Sequence, residues 1–450
     1  MTITPINKYS HISFATIKTF TDEIHLTTVL RAGQAFRWRK INDIWSCSYE
    51  NGIICLRERY QGKDMCIDHA FLENRFDLKG LYQVSDYKSK EIVSHYLNLK
   101  DSLREYHTHW SKVDGKFPQK RLIKNTLEEK ISDVGHGVRI LNQNPWETLI
   151  SFIISSNNNI KRISQLCETL SFAYGNYLGE IDNVPYYSFP KPIDFLKSGQ
   201  TQIDLTLLEA ELRKLGFGYR AKYISNTVNM FLIDEKLWIK LHSTQDDESC
   251  IEFLRLFPGV GPKVADCVAL MGCGRHDLVP IDTHVWQFVQ GKYKQEYLNW
   301  ISKLPQNDNN SVLKTNLKKS LSNKAVDVKL YPFIRQFFKE LWGLKPGWAQ
   351  AVLFAAKVDL SNGINSPEDV ERLKLKASIV DHLKEEVLIK QEEITFEQRL
   401  QKDIRIKIEE TEIKQETGIK QEIDYEMDSY EDLASQRKKR RRLVQTKNPF

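Results

Sequence analysis

Short apolar or alternating runs dominate the first part of the chain. Residues 10–85 contain such runs at 25–30, 44–49 and 52–56, and the turn-prone pairs Asn42-Asp43 and Asn51-Gly52 separate them. A period of two is typical of strands, and Asn-Gly between two such runs is a strong hairpin signal. This part of the sequence therefore predicts an antiparallel sheet.

The spacing of apolar residues becomes helical from about residue 90 to residue 360. Helices are predicted over 145–154, 204–215, 247–257, 264–271, 285–290 and 347–357, several of them closed by glycine. Residues 303–330 are rich in Asn, Lys and Ser, which indicates an inserted surface loop. The pattern predicts an α+β fold class, with an N-terminal antiparallel β-sheet domain over residues 1–115 and an all-α domain over residues 116–362.

The composition of the last segment, residues 363–450, predicts a charged, disordered tail, with a fraying charged helix as the alternative. Beyond residue 373 there is no tryptophan, and residues 374–436 hold 17 acidic and 10 basic side chains. Such a composition buries too little apolar surface to fold by itself. The whole chain carries a net charge of +6, and the part before the tail is basic, which favours a polyanionic partner.

Cysteine and hydropathy patterns narrow the class of protein. The seven cysteines are scattered, none forms a C-x-x-C pair, and no His/Cys set has zinc spacing, so we expect free thiols, no metal and no cofactor. No apolar run reaches the roughly 18 residues of a membrane span. We expect neither a membrane protein nor a disulfide-linked one.

The most informative stretch is a glycine turn between two predicted helices, residues 256–267. Gly259 and Gly261 offer a bare backbone, and the helix that follows has unpaired N–H groups in its first turn. Such a turn can bind a phosphate without reading base sequence. A simple connection between helices is the alternative.

Lys263 and Asp282 strengthen the functional interpretation. Lys263 lies in the first turn of that helix, where the helix dipole disfavours a cation and an amine loses its proton more readily. An amine nucleophile requires this property. Asp282 follows the Val279-Pro280-Ile281 stretch and precedes a helix, so it is a candidate N-cap whose carboxylate could also stabilise a sugar cation.

These motifs together resemble the helix-hairpin-helix DNA glycosylase superfamily and, within it, eukaryotic 8-oxoguanine DNA glycosylase/lyases. The resemblance runs from about Gly33 to Phe354 and includes four further motifs. They are Gly-Gln-Ala-Phe-Arg-Trp at 33–38, Ser-Ser-Asn-Asn-Asn-Ile at 155–160, Leu-Gly-Phe-Gly-Tyr-Arg at 215–220 and Gly-Trp-Ala-Gln-Ala-Val-Leu-Phe at 347–354. Pro262 departs from the pattern, because a small polar residue is expected before the lysine.

The resemblance implies a role for each matching residue. Lys263 and Asp282 are the catalytic pair. The residues expected in the pocket for the flipped base are Gly33, Cys267, Pro280, Gln350 and Phe354. The residues expected to bind DNA are Asn157, Arg162, Tyr219, Arg220, Gly259, Gly261 and His284. Within the second set, Tyr219 resembles the wedge, Asn157 the filler of the vacated stack, and the two arginines the partners of the estranged cytosine.

The implied activity is that of a bifunctional glycosylase and abasic-site lyase acting on 8-oxoguanine and related oxidised purines opposite cytosine. Two alternatives remain. A non-catalytic DNA-binding module would need neither Asp282 nor a base pocket. A monofunctional glycosylase for alkylated purines would use the aspartate to activate water and would not need Lys263. Capping for Asn157, solvated surface for the arginines and core packing for Phe354 are the structural alternatives.

The tail carries two short signals. Five aliphatic-Lys-x-Glu patterns resemble the SUMO acceptor consensus, and their lysines are Lys384, Lys390, Lys407, Lys414 and Lys420. Six consecutive basic residues run from Arg437 to Arg442 and indicate a nuclear localisation signal, read by an import receptor, or a non-specific DNA arm. We expect a nuclear, monomeric protein. A mitochondrial pool is an open alternative, because the first 21 residues lack acidic side chains but also lack Arg.

Overall fold

The computed structural model describes residues 5–61, 64–75, 77–117, 137–196, 200–243, 246–305, 308–355 and 363–378. All of them belong to one compact unit, Met1–Leu383. The tail lysines from Lys384 onward and the basic run from Arg437 to Arg442 lie outside the described residues. Among the described residues, no helix combines the length and the apolar character that crossing a membrane requires.

The strands lie mostly in the first quarter of the chain. Their bounds are Ala15–Phe20 (β1), Arg39–Ile41 (β2), Ile44–Tyr49 (β3), Gly52–Gln61 (β4), Asp64–Arg75 (β5), Gly80–Gln83 (β6), Tyr177–Ile181 (β7) and Val184–Tyr187 (β8). The first sheet has the order β1-β5-β4-β3-β2, with β6 paired to β5, and every pairing in it is antiparallel. The predicted antiparallel sheet is confirmed.

Turn chemistry sets the register of this sheet. Asn42 and Asp43 both have positive φ (51° and 59°) between the paired residues Ile41 and Ile44. Two left-handed residues match the twist of the strands that flank a two-residue hairpin. The next hairpin is present as predicted, but Gly52 pairs with Tyr49 as the first residue of β4, so the two-residue loop is Glu50-Asn51 rather than Asn51-Gly52. The prediction of a strand over 25–30 is wrong, because Leu26–Arg31 forms a helix (α1) that buries Val29 and Leu30.

Helices make up most of the remaining structure. Their bounds are Asp86–Tyr96 (α2), Leu103–Val113 (α3), Pro145–Ser155 (α4), Ile160–Tyr174 (α5), Leu205–Lys214 (α6), Arg220–Ile233 (α7), Lys236–Ser243 (α8), Asp247–Leu254 (α9), Pro262–Met271 (α10), Thr283–Gln290 (α11), Lys294–Lys303 (α12), Asp308–Ser320 (α13), Tyr331–Trp342 (α14), Pro346–Ala355 (α15) and Pro367–Ala377 (α16). The predicted helices over 145–154, 204–215, 247–257, 264–271, 285–290 and 347–357 are confirmed to within a few residues.

Three elements differ from the sequence prediction. The hairpin of β7 and β8 interrupts the domain predicted to be all-α, and it closes one hydrophobic core against the first sheet. The predicted loop over 303–330 contains α13. The predicted tail over 363–450 is wrong for residues 363–378, where α16 buries Val370, Leu373 and Ala377. Packing against β7, β8 and the sheet stabilises α16, although its overall composition is charged.

Candidate active site

The predicted glycine hairpin joins α9 to α10. Gly259 has φ +81°, and a Cβ added there would lie 2.5 Å from Cδ2 of Tyr223, so both backbone conformation and contact require glycine. Gly261 has φ −89°, caps α10 without a side chain and is exposed. Pro262 occupies the first turn of α10, where its missing N–H costs nothing. The first N–H groups of α10 therefore have no side-chain cap.

Lys263 follows Pro262 in that first turn and is half-buried. Its Nζ lies 5.3 Å from the centroid of the Phe152 ring, a cation–π distance. One helical turn later, burial raises the pKa of the Cys267 thiol to about 11, Lys263 lowers this pKa, and Asp282 raises it. The charges of Lys263 and Asp282 are therefore both close enough to Cys267 to shift the pKa of its thiol, in opposite directions.

Asp282 is the N-cap of α11. Its Oδ1 accepts a hydrogen bond of 2.8 Å from the backbone N–H of Val285, so the predicted capping role is confirmed. The carboxylate is half-buried, while its neighbour His284 is exposed. A cap fixes the carboxylate relative to the helix, which is also what a group placed to stabilise a developing cation needs.

A contact that the sequence did not reveal ties the Asp282 loop to α10. The backbone N–H of Ile281 donates to the hydroxyl of Tyr331 on α14 at 2.7 Å. Tyr331 in turn interacts with the carboxyl of Asp266 on α10, whose Oδ1 accepts from Arg335 at 2.9 Å. Burial raises the pKa of Asp266 to about 7, against the opposing effects of Arg335 and Tyr331. An acid inside the apolar run 264–271 was the only sequence signal of this network.

Gly33 lies against the Phe354 ring, which the family resemblance places beside the flipped base. It has φ +74°, and an added Cβ would be 3.2 Å from Cδ1 of Ile160 and 3.3 Å from Cε1 of Phe354. The Phe354 ring is half-buried, and its centroid lies 6.1 Å from that of His284. The structure thus brings Gly33, Phe354 and His284 together, and it adds Ile160 and Phe152 to the candidate set.

Of the other predicted pocket residues, Gln350 lies on α15, Cys267 on α10 and Pro280 in the loop before α11. Gln350 is 5% exposed and precedes Phe354 by one turn of α15, so both occupy one face. Cys267 is 3% exposed, and Pro280 is buried. Val352 and Leu353 are buried in the core of the helical part, whereas Phe354 is only half-buried. The roles expected for Gln350, Cys267 and Pro280 stay predictions.

The residues expected to meet the opposite strand form a second cluster. Asn157 is exposed with φ +48°, and Tyr219 is 44% exposed and donates to the carbonyl of Ser156 at 2.9 Å. The guanidinium of Arg220 donates to the carbonyls of Ser156 (3.0 Å) and Asn157 (2.9 Å). Arg162 is exposed and donates to the carbonyl of Gly216 at 3.1 Å. Part of the donor capacity of Arg220 is therefore used to hold the loop that presents Asn157.

Contacts connect this cluster to the hairpin and to the pocket. The rings of Tyr219 and Tyr223 are 5.8 Å apart, and Tyr223 packs on Gly259. Ile160, which starts α5 just after the Asn157 loop, contacts Gly33. These contacts link the second cluster to Gly259 of the hairpin and to Gly33 of the predicted pocket. Among the described residues, no three His, Cys, Asp or Glu side chains are grouped as a metal site requires.

Comparison with known proteins finds relatives that match most of the chain. A family model described as the N-terminal domain of 8-oxoguanine DNA glycosylase matches residues 16–149. The chain is 34% identical over 372 residues to an N-glycosylase/DNA lyase of Saccharomyces cerevisiae, covering 78% of this chain and 88% of that protein. It is 32% identical over 341 residues to N-glycosylase/DNA lyase OGG1 of Arabidopsis thaliana, covering 75% and 78% of the two chains.

Solved structures show the same fold. The apo form of Clostridium acetobutylicum 8-oxoguanine glycosylase/lyase aligns with a TM-score of 0.53 and 25% identity, covering 79% of this chain and all of that one. The extent of the match to the yeast and plant proteins establishes the family. The chain therefore belongs to the 8-oxoguanine DNA glycosylase family of the helix-hairpin-helix superfamily, and it is a DNA glycosylase with lyase activity.

Proposed function

We propose that this chain excises 8-oxoguanine and related oxidised purines from duplex DNA opposite cytosine and then nicks the strand through a Schiff base on Lys263. The observation that supports the proposal is that Lys263, in the first turn of α10, and Asp282, the N-cap of α11, are tied together through the hydrogen bonds of Ile281 with Tyr331 and of Asp266 with Arg335. An amine and a carboxylate at one site would supply the two groups that this chemistry needs.

In the proposed reaction, the neutral amine of Lys263 attacks C1′ of the extruded nucleotide. The glycosidic bond breaks, its electron pair leaves with the base, and the carboxylate of Asp282 stabilises the positive charge on the sugar. One amine proton neutralises the departing base, and the other protonates O4′ as the sugar ring opens to an imine. Loss of a proton from C2′ then expels the 3′ phosphate, which is the β-elimination that nicks the strand.

Base selection is proposed to depend on Gly33. Oxidation at C8 places a hydrogen on N7, and the carbonyl of Gly33 would accept it, whereas normal guanine would present a lone pair to that carbonyl. An unpaired polar contact of this kind costs about 1–3 kcal/mol. Cys267 and Phe354 would stack on the two faces of the purine, Gln350 would bond its Watson–Crick edge, and Pro280 would line the pocket.

Extrusion of the base costs a few kcal/mol, and the second cluster is proposed to offset it. Tyr219 would wedge beside the estranged cytosine, Asn157 would fill the vacated stack, and Arg162 and Arg220 would donate to the acceptor edge of the cytosine. The turn of Gly259 and Gly261 would bind a backbone phosphate through the uncapped N–H groups of α10, with His284 contacting another. The protein is proposed to do this as a monomer.

The test is a strand-nicking assay on a duplex with 8-oxoguanine opposite cytosine. Wild type should release the base and nick, and Lys263→Gln should reduce both by about 10³-fold or more, since removal of a nucleophile has effects of that order. Lys240→Gln on α8, a change at an exposed lysine, should match wild type. Nicking by Lys263→Gln at the wild-type rate would refute the proposal. Base release by wild type without any nick would favour the water-activating, monofunctional alternative.

We also propose a nuclear location, supported by the six basic residues from Arg437 to Arg442. Replacing these six residues by Gln in a fluorescent fusion should redistribute the protein to the cytoplasm. Unchanged nuclear signal would contradict this role and leave the DNA-arm alternative. Mitochondrial signal in the same images would reveal the second pool.

SUMO conjugation of the tail is a separate proposal, supported by five aliphatic-Lys-x-Glu patterns. The acceptor lysines would be Lys384, Lys390, Lys407, Lys414 and Lys420. Changing all five to Arg should abolish conjugation in cells, and unchanged conjugation would refute it.

A further inference from the structure

The helix α16 lies beyond the segment that carries the family motifs, yet it reaches the cluster assigned to the opposite strand. Its apolar positions Val370, Leu373 and Ala377 are buried, and the helix packs on α5, which begins directly after the Asn157 loop. Lys376 is half-buried at the end of α16, at the edge of this apolar face. A side chain of the last described helix is therefore held in place by packing.

The ammonium of Lys376 lies beside Gly216. A Cβ added to Gly216, which has φ +93°, would be 3.2 Å from Nζ of Lys376. The carbonyl of the same glycine accepts the hydrogen bond from Arg162. Tyr219 and Arg220 follow Gly216 by three and four residues. Lys376 is thus adjacent to the proposed cytosine-binding arginine and to the loop that carries the wedge.

The charges of this cluster repel one another. Burial lowers the pKa of Lys376, and so does the neighbouring charge of Arg162. Burial also lowers the pKa of the Arg220 guanidinium, and the charge of Arg162 lowers it as well. Arg162 therefore disfavours the charged forms of both Lys376 and Arg220. A cluster of like charges is costly in the free protein, and a polyanion bound across it would remove that cost.

We propose that Lys376 on α16 binds a backbone phosphate of duplex DNA next to Arg162, which adds α16 to the DNA-binding surface. This inference rests on the proposed function, because it uses the surface assigned to the strand opposite the lesion. A cation held near a phosphate contributes affinity without reading sequence.

The test measures the affinity of the full chain for a duplex with a tetrahydrofuran abasic analogue opposite cytosine, by fluorescence anisotropy over a range of salt concentrations. Lys376→Gln should weaken binding by roughly 3- to 10-fold near ~0.1 M salt, and it should reduce the slope of log K against log salt by about 0.9. Lys376→Arg, which keeps the charge, should restore most of the affinity. The matched control is Lys374→Gln, an exposed lysine on the same helix, which should change neither quantity.

Equal affinities and equal salt slopes for Lys376→Gln and Lys374→Gln would overturn the inference. Weak binding by Lys376→Arg as well would also overturn it, because the effect would then be one of packing. The same preparations are assayed for nicking of the 8-oxoguanine duplex. Failure of wild type to nick would count against the proposed function, whereas normal nicking with unchanged binding by Lys376→Gln would count against this inference alone.

Discussion

Gly33 shows how closely a single residue can be specified. Its φ of +74° is in the left-handed region, and its missing Cβ makes room for Ile160 and for the Phe354 ring. The first constraint concerns only the local backbone, whereas the second depends on an aromatic ring more than 300 residues away in the chain. Comparing alanine substitutions at two glycines can separate the effect of the backbone conformation from that of the close contact, because other glycines have a positive φ but no close neighbour.

We predict that Gly33→Ala reduces excision of 8-oxoguanine by about 10-fold or more, because small misplacements of pocket groups have effects of that order. Nicking of a preformed abasic site should be affected much less, since no base occupies the pocket. Gly274→Ala is the matched control, with φ +66° and nothing within 4 Å of the added Cβ. Both variants should lose about 1–2 kcal/mol of stability to strain. Equal excision by the two would contradict the assigned role of Gly33.

Asp266 gives a prediction for pH dependence. Burial raises its pKa in the folded protein to about 7, whereas the unfolded value is near ~4. The folded state therefore holds a proton that the unfolded state has lost between these pH values, and its stabilising contribution disappears as pH rises from about 4 to 7.

Asp266→Asn removes this titration. The free energy of unfolding of wild type, relative to that of the variant, should fall by on the order of 4 kcal/mol over that pH range. Denaturant titrations at several pH values measure the difference. A constant difference across the range would show that Asp266 titrates alike in both states.

The proposed catalytic groups depend on contacts between helices that are distant in sequence. The Asp282 loop is held to α14 through the hydrogen bond from Ile281 N–H to Tyr331, and α14 is held to α10 through Asp266 and Arg335. Lys263 and Asp282 therefore share a support, and Tyr331 is a positioning residue for Asp282.

We predict that Tyr331→Phe lowers the single-turnover excision rate by about 10-fold while affinity for the abasic-analogue duplex stays within twofold, because a misplaced carboxylate affects chemistry more than binding. Tyr293→Phe is the control, since its buried hydroxyl also interacts with a buried carboxyl, that of Asp114, at 2.8 Å. Each change should cost about 1 kcal/mol of stability. If both variants excise at the same rate, Tyr331 has only a structural role.

Sequence reasoning succeeded where the signal was local. The hairpin at Asn42-Asp43, the helix N-cap at Asp282 and the proline start of α10 each follow from a few adjacent residues. It failed where a residue's contacts come from elements that are distant in the sequence. The start signal of α16 was present in Ser366-Pro367-Glu368-Asp369, but its charged composition concealed it. Tyr331 and Phe152 carry no local mark of function, because their proposed roles depend on contacts that only the folded chain makes.

At the scale of the whole molecule, buried ion pairs join the sheet to the helices. Arg39 on β2 donates to both carboxylate oxygens of Glu168 on α5 (3.2 and 2.9 Å), and each side chain is 3% exposed. Two residues earlier, Arg37 pairs in the same way with Glu147 on α4. Both arginines lie within six residues of Gly33, so these pairs fix the chain next to the predicted pocket glycine to the helices α4 and α5.

We predict that Glu168→Gln lowers the free energy of unfolding by about 3–5 kcal/mol, because it leaves the Arg39 guanidinium buried without a counter-charge. Glu209→Gln breaks the more exposed pair with Arg213 on α6 and should cost less than about 1 kcal/mol. Chemical denaturation monitored by tryptophan fluorescence measures both. Similar costs for the two changes would show that the Arg39–Glu168 pair contributes no more than a surface pair.

The proposed reaction requires the amine of Lys263 to form the covalent bond to the sugar. The most direct measurement is borohydride trapping of the full chain on the 8-oxoguanine duplex, followed by digestion and mass spectrometry of the cross-linked peptide. The adduct should lie on Lys263, and Lys263→Gln should give no cross-link. An adduct on any other amine, or trapping that persists in Lys263→Gln, would contradict the mechanism.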